Sequence, residues 1–303
     1  QFEEEVLEYT RELSNKATAK LLGTTISTVY RIDKIGLENL DKSLISKTPK
    51  TTKLSLDETS YKKHHNYTTV LTNQEDGKII DISKGKSKNS AIELLSKYDK
   101  HGKFNHLDTI AIDFSQSYIS AVSDFYADHY IVFDKFHFSR IVNRKMEIVR
   151  RLIQKELPEE ERYDMKKHVR WLILRRQKNF SQHHTKRLQE LMLVNQDLYK
   201  AYLIKEDLLS IFDEELEAND AEERFTVWCR MVNDTNFIPF KQLAIQIKKR
   251  LSLLLNWFKY RVSNAKAEAI NNKIKTIIKM AYGYKDFDYF RLKVLQRCGY
   301  LME

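Results

Sequence analysis

Strand-like hydrophobic patterning in this chain of 303 residues is confined to one window, residues 54–134, and both flanks read as helical. Apolar runs at 54–57, 67–73 and 78–83 predict three strands, the last two joined by a turn at Gln74-Glu75-Asp76-Gly77. A helix at 89–98, a strand at 108–114, a helix at 117–127 and a strand at 130–134 follow. Three strands of a meander and then two alternating with helices predict an α/β fold on a mixed five-stranded sheet with helices packed on it. With only seven Gly and three Pro, the chain lacks the turn formers that an all-β sandwich would need.

This element order is that of a ribonuclease H-like core, in which the first and fourth strands are neighbours. Residues 136–260 carry apolar positions at three- and four-residue spacing without a strand, which predicts an all-helical insertion between the fifth strand and the last core helix. Helix 264–281 then places Ala267, Ile270, Ile274, Ile277 and Ile278 on a buried stripe and Glu268, Asn272, Lys275 and Lys279 on the adjacent polar one. Ahead of the sheet, the spacing of Ala19, Gly23, Val29 and Ile32 fits a helix-turn-helix, with Ser27, Thr28, Tyr30, Arg31 and Lys34 facing a DNA groove. The expected organisation is a helix-turn-helix domain at 1–43, a linker at 44–53, the first part of the core at 54–135, the insertion at 136–260, and the last helix and end of the core at 261–303.

Two carboxylates stand where strand-like runs end, Asp57 after Lys53-Leu54-Ser55-Leu56 and Asp113 after Thr109-Ile110-Ala111-Ile112, and Glu268 lies far downstream in a basic helix. Singly, each also reads as a cap or a solvated acid. Neighbouring first and fourth strands bring the two Asp together, and two Asp with one Glu suffice as protein ligands for two magnesium ions acting on a phosphodiester. Charge supports a nucleic-acid partner: the chain is net +10, and residues 135–188 and 241–303 are each net +10 around an acidic block, 189–240, of net −8. No apolar run approaches a membrane span and no signal peptide opens the chain, so a cytoplasmic, nucleoid-associated protein with no membrane partner is expected. Cys229 and Cys298 form neither a disulfide framework nor a zinc ribbon. The first residue, Gln1, is consistent with an upstream segment being absent.

The chain resembles the ISL-three family of bacterial insertion-sequence transposases, DDE enzymes with a ribonuclease H-like core. The matching stretches are Leu56-Asp57-Glu58-Thr59-Ser60-Tyr61, Ile112-Asp113-Phe114-Ser115-Gln116-Ser117-Tyr118, Phe133-Asp134-Lys135-Phe136-His137-Phe138, Arg170-Trp171-Leu172-Ile173-Leu174, and Glu268 to Lys275 followed by Ala281-Tyr282-Gly283-Tyr284. The resemblance runs from about Leu54 to Leu301 and implies that Asp57, Asp113 and Glu268 are the catalytic, metal-binding triad. It further implies magnesium as cofactor, with manganese able to substitute, and double-stranded DNA as partner, both terminal inverted repeats and target. A homodimer or larger assembly on DNA follows from the need to join two ends. Family members commonly carry a cysteine-rich zinc-binding segment at the extreme N-terminus, which this sequence lacks.

Asp134 and His137 form an Asp-x-x-His pair beyond the fifth strand, read either as support for the metal site or as a helix cap and a packing histidine. The pairs His64-His65 and His183-His184 are expected at the surface, Trp171 in the core or a subunit contact, and the acids of 206–223 on a solvated face or a subunit contact. The other functions open to such a sequence are a structure-specific nuclease on the same fold and a catalytically silent DNA-binding regulator.

Overall fold

The computed structural model describes residues 1–62, 66–164, 168–262 and 265–302, without the side chains of 163, 164, 265, 267 and 268. The chain divides into two compact units, residues 1–132 with 262–303 and residues 133–261. His64, His65 and the side chains of Ala267 and Glu268 lie outside the described residues.

The chain opens with helices α1 (Phe2–Glu12), α2 (Asn15–Leu21) and α3 (Ile26–Asp41). Ser14 caps α2 by accepting from the Ala17 N–H at 3.3 Å, and Thr25 caps α3 by accepting from Thr28 at 3.1 Å. Such caps are each worth about 1 kcal/mol. Between them the chain turns at Gly23, whose φ of +64° is one that L side chains rarely adopt. Val6, Ala19, Val29 and Ile32 close into a small core, with Leu22 packed against it. Residues 44–53, expected to be a linker, instead carry α4 (Leu44–Lys47) and run directly into the sheet. Thr51 is buried and donates to Asn73 Oδ1 at 2.7 Å and Glu75 Oε2 at 2.6 Å, which stitches the segment to the following turn.

The sheet comprises β1 (Lys53–Lys62), β2 (Asn66–Asn73), β3 (Lys78–Lys84), β4 (Thr109–Ile112) and β5 (Ile131–Phe133), in the order β3-β2-β1-β4-β5. Helix α5 (Lys88–Asp99) connects β3 to β4, and α6 (Gln116–Ser123) follows β4. β1 pairs antiparallel with β2 and parallel with β4, the last rung being Leu56 against Ile112. β4 therefore stops halfway along β1, which continues to Lys62 paired with β2.

The second unit is helical: α7 (Lys135–Glu156), α8 (Glu159–Asp164), α9 (Arg170–Leu174), α10 (Gln182–Val194), α11 (Gln196–Ser210), α12 (Ala218–Asn233), α13 (Ile238–Lys249) and α14 (Leu251–Tyr260). Its core gathers around Phe212, whose ring lies 5.1 to 5.6 Å from those of Phe138, Phe225, Trp257 and Phe258. Of the acids of 206–223, expected on a solvated face or a subunit contact, Asp207, Glu215, Glu217, Asp220, Glu222 and Glu223 are exposed, whereas Glu206 and Asp213 form ion pairs inside the unit. Asp213 takes Lys135 at 2.9 Å, Arg176 at 2.8 Å and Lys178 at 2.8 Å. Burial works to raise the Asp213 carboxyl, but its hydrogen bonds from Lys178 and Lys135 and the Arg176 charge outweigh it and leave it at about 2. Glu206 holds Arg176 and the fully buried Lys205. Trp171 is not in the core: it is 67% exposed, with the Arg170 guanidinium 4.9 Å from its ring centre. No helix among the described residues is long and apolar enough to cross a membrane.

In the first unit, α15 (Ala265–Met280) and α16 (Phe287–Cys298) complete the fold. Ile270, Ile274 and Ile277 are buried, as the stripe predicts, whereas Ile278 is half-buried. The α1–α3 layer is fastened to α16 by a buried polar network: Lys293 donates to Asp33 Oδ2 at 3.0 Å and to the Thr10 carbonyl at 2.7 Å, and Thr10 Oγ1 donates to Asp33 Oδ1 at 2.6 Å. Asp33 and Lys293 are 0% and 2% exposed, so neither tolerates loss of its partner. Replacing Asp33 with Ala strands a buried ammonium and should cost about 3 to 5 kcal/mol in urea unfolding followed by circular dichroism. A loss below about 1 kcal/mol would refute the fastening role.

Candidate functional site

The early stop of β4 creates the site. Asp57 follows Leu56 and Asp113 follows Ile112, so the two acids leave the last shared rung at equivalent positions on strands about 4.8 Å apart. Asp57 is 6% exposed; its Oδ1 accepts from the Glu58 N–H at 2.7 Å. Asp113 is half-buried, and its Oδ1 accepts from the Ser115 N–H at 3.0 Å, a local turn that starts α6. Both carboxylates are thus oriented by backbone donors.

A third element reaches this place. Asn271 on α15 donates its amide to Asp57 Oδ2 at 2.7 Å. Farther up the helix, Lys266 donates to the carbonyls of Gln74 and Glu75 at 2.8 and 2.6 Å, pinning the start of α15 to the β2–β3 turn. Glu268 lies in α15 three residues before Asn271, and residues so spaced share a helix face, so its backbone is one turn from the residue that touches Asp57. Its side chain is outside the described residues.

Electrostatics give the same convergence from the other face of the sheet. Tyr118 of α6 shares a hydrogen bond with Thr69 at 3.1 Å, and its phenol is pushed up, first by burial and then by the charges of Glu58, Asp113 and Asp57. Glu58, half-buried and 3.6 Å from Lys86, is thus an acidic neighbour that strand patterning alone did not single out. The oxygen donors suit a hard divalent cation. Among the described residues no group of three or more His, Cys, Asp or Glu side chains is arranged to hold a metal ion.

The remaining predicted residues fall in three places. Asn272, Lys275 and Lys279 are exposed along α15, in line with the polar stripe. On α3, Ser27 and Arg31 are exposed and Thr28 is half-buried beside Thr25, but Tyr30 and Lys34 turn to the fold itself. They donate to Asp286 Oδ2 at 3.2 and 2.7 Å, and the Tyr30 ring meets Tyr289 edge-on at 4.7 Å. Asp134 and His137 belong to the 133–261 unit, where Asp134 caps α7 through Phe136 and lies 3.6 Å from His137 Nδ1. His183 is exposed and His184 completes a capping box with Ser181. Asn271 was missed because it sits one residue off the polar stripe; its i+3 spacing from Glu268 is the signal that finds it.

A transposase family, the DDE transposases of the ISL3 type, matches residues 54–294 of this chain. The chain is 26% identical over 296 residues to the transposase for insertion sequence element IS1001 of Bordetella parapertussis, covering 94% of this chain and 72% of that protein. It is 21% identical over 258 residues to the transposase for insertion sequence element IS1557 of Mycobacterium tuberculosis, covering 77% of this chain and 57% of that protein.

The Asn271 amide is a single donor to a nearly buried charge, so Asn271→Leu should lower stability by about 1.5 to 3 kcal/mol in urea unfolding. An unchanged unfolding midpoint would mean that the contact does not dock α15.

Proposed function

The chain belongs to the DDE transposases of the ISL-three type, and we propose from its site that it cuts and joins DNA at the ends of an insertion sequence. In this reading the sheet is a ribonuclease H-like core, and Asp57, Asp113 and Glu268 are its catalytic triad. The observation that carries it is the meeting of three chain segments at one point, Asp57 on β1, Asp113 after β4, and α15 through Asn271.

DDE transposases use a divalent metal. Here Asp57, Asp113 and Glu268 would hold two magnesium ions, which when bound activate the attacking oxygen and stabilise the leaving oxygen of an in-line displacement. The chain's own part is orientation. Glu58 and Ser115 backbone N–H groups fix one oxygen of each Asp, and Asn271 fixes the second oxygen of Asp57. Lys275 and Lys279 would neutralise phosphates of the strand laid along α15. One site then serves two steps: water attacks a phosphodiester and expels a 3′ hydroxyl, and that hydroxyl attacks a target phosphate and expels the target's own 3′ oxygen.

End recognition is assigned to α2 and α3 as a helix-turn-helix, with Ser27 and Arg31 as its exposed readers, while Tyr30 and Lys34 hold the module to the catalytic body. In the basic segment 135–188, Lys135, Arg176 and Lys178 are committed to Asp213, which leaves exposed residues such as Arg140 and Arg144 for DNA. Two ends are joined together, so the active form is a homodimer or larger assembly on DNA.

With oligonucleotides carrying the inverted repeats that flank the coding region, Asp57→Asn, Asp113→Asn and Glu268→Gln should each lower nicking and joining by more than roughly 100-fold, with near-normal end binding. Asp134→Asn should retain activity, and a full-strength Glu268→Gln enzyme would move the third ligand elsewhere. Nicking without joining on pre-cleaved ends would identify a nuclease, and no metal-dependent nicking by the unaltered protein a silent regulator. Deleting residues 1–48 would uncover Lys293, so recognition is better tested with Arg31→Ala. That change should lower preference for the repeat over unrelated duplex by about 1 to 3 kcal/mol in competition binding, and unchanged preference would rule out α3 as the reader.

A further inference from the structure

Helix α15 ends in a left-handed backbone at a residue that is not glycine. Its last turn closes through Ala281, Tyr282 and Gly283, which donate to the carbonyls of Ile277, Lys279 and Ile278 at 3.3, 3.1 and 2.9 Å. Helices commonly stop on a residue with positive φ, and glycine is the residue that takes that position without strain. Here Tyr282 has φ of +56° and Gly283 follows with +98°. A left-handed backbone is strained for any residue that carries a Cβ. The side chain gives nothing back to the fold: Tyr282 is 98% exposed, and among the described residues neither its hydroxyl makes a hydrogen bond nor its ring a ring contact. Its neighbour Tyr284, by contrast, packs 5.2 Å from Phe290 and 5.9 Å from Tyr289. Lys62 ties the same loop to β1 through the Lys285 carbonyl at 3.1 Å. The tip is held, and one aromatic is pushed out from it.

Its position gives that aromatic an occupant. Glu268, Asn272, Lys275 and Lys279 follow one another at spacings of four, three and four, which is one stripe along α15, and Tyr282 stands in the turn just past its end. The stripe begins at the proposed triad and crosses two exposed ammonium groups. Lys285 is exposed beside Tyr282, and Asp286, an acid beside it, is engaged by Lys34 and Tyr30. Tyr282 also lines a cavity of about 490 Å³ with Lys16, Tyr30, Tyr284 and Arg297, which leaves room and positive charge next to the ring. At about 1.5 Å per residue, the end of α15 at Met280 lies roughly 14 Å along the helix from Asn271, and Tyr282 stands just beyond it, about 16 Å away. At about 3.4 Å per nucleotide of one strand, that is about five nucleotides.

We propose that Tyr282 is a stacking platform for an unpaired DNA base, on the strand that runs along Asn272, Lys275 and Lys279, about five nucleotides from the scissile phosphate. The inference rests on the assignment of Asp57, Asp113 and Glu268 as the cutting site. Aromatic stacking suits a site met by many sequences because every base has a π-face, and it discriminates splayed strands from closed duplex.

The full chain is tested without divalent metal on a forked duplex with 2-aminopurine at successive positions of its single-stranded arm, and on the matching blunt duplex. Stacking should quench the probe at one or two neighbouring arm positions on the fork and not in the blunt duplex. Tyr282→Ala should abolish the quench and weaken fork binding roughly 5- to 150-fold, with an unchanged melting temperature, while Tyr282→Trp keeps the quench. Equal quenching by Tyr282→Ala, no quenching by the unaltered protein, or equal quenching of blunt duplex would overturn the proposal. Asp57→Asn in the magnesium nicking assay separates the two readings: if it still cuts, the site assignment fails, and if it is inactive while Tyr282→Ala still quenches, only the stacking platform fails.

Discussion

The parallel pairing of β1 with β4 ends at Leu56 and Ile112, and the site depends on where it ends. Had β4 continued, the Asp113 backbone would have been spent on the ladder and the edge of β1 at Asp57 would have been covered. Because β4 stops, Asp113 turns its carboxylate back onto the start of α6, and Asp57 remains on a strand held firmly from one side by β2. β1 itself runs ten residues, six of them past its last rung with β4. Along β1 the odd positions Asp57 and Tyr61 meet α15 and α16, while the partner of Glu58, Thr69, meets Tyr118 of α6.

The N-terminal helices are bound to the same body by charge rather than by apolar area. Asp33 and Lys293 are buried beneath α1 and α3, and burial draws the Lys293 ammonium down to about 8 even though Asp33 supports its charge. Such a pair adds little to net stability compared with well-packed apolar groups, but it penalises any arrangement in which the partners miss one another. Tyr30 and Lys34 extend the fastening to Asp286 at the start of α16. α3 therefore presents only its Ser27 and Arg31 side outward.

Much of this was legible in the sequence where pattern determines structure. Apolar runs located four of the five strands within two residues at either end, but gave β1 only 54–57, so Asp57, read as the end of a strand, lies inside one that continues to Lys62 through polar residues; the order of elements, that of a ribonuclease H-like core, put Asp57 beside Asp113. What pattern could not reach were interactions between distant polar groups. Tyr30 and Lys34 have the look of groove readers on an isolated helix; only the folded chain brings Asp286 beneath them. Trp171 sits among apolar residues in sequence, yet a helix as short as α9 buries Leu172 and Ile173 and leaves its neighbour outside. The acids of 206–223 form one run in sequence, but Glu206 and Asp213 each answer a buried or half-buried cation. Asn271 carried no signal of hydrophobic period at all, and its role rests on one hydrogen bond.

That hydrogen bond joins residues 214 positions apart, and the Asp33–Lys293 pair spans 260. A ribosome adding about 5 to 20 residues per second makes the strands first and the helix that meets them some tens of seconds later at the slower rate. Through that interval the nascent chain has Asp57 and Asp113 but not Asn271, and Asp33 without its lysine. The order of synthesis thus leaves Asp57 without its partner on α15 until nearly the whole chain has been made, and the same late segment, α15 with α16, closes on Asp57 and seats the N-terminal helices together.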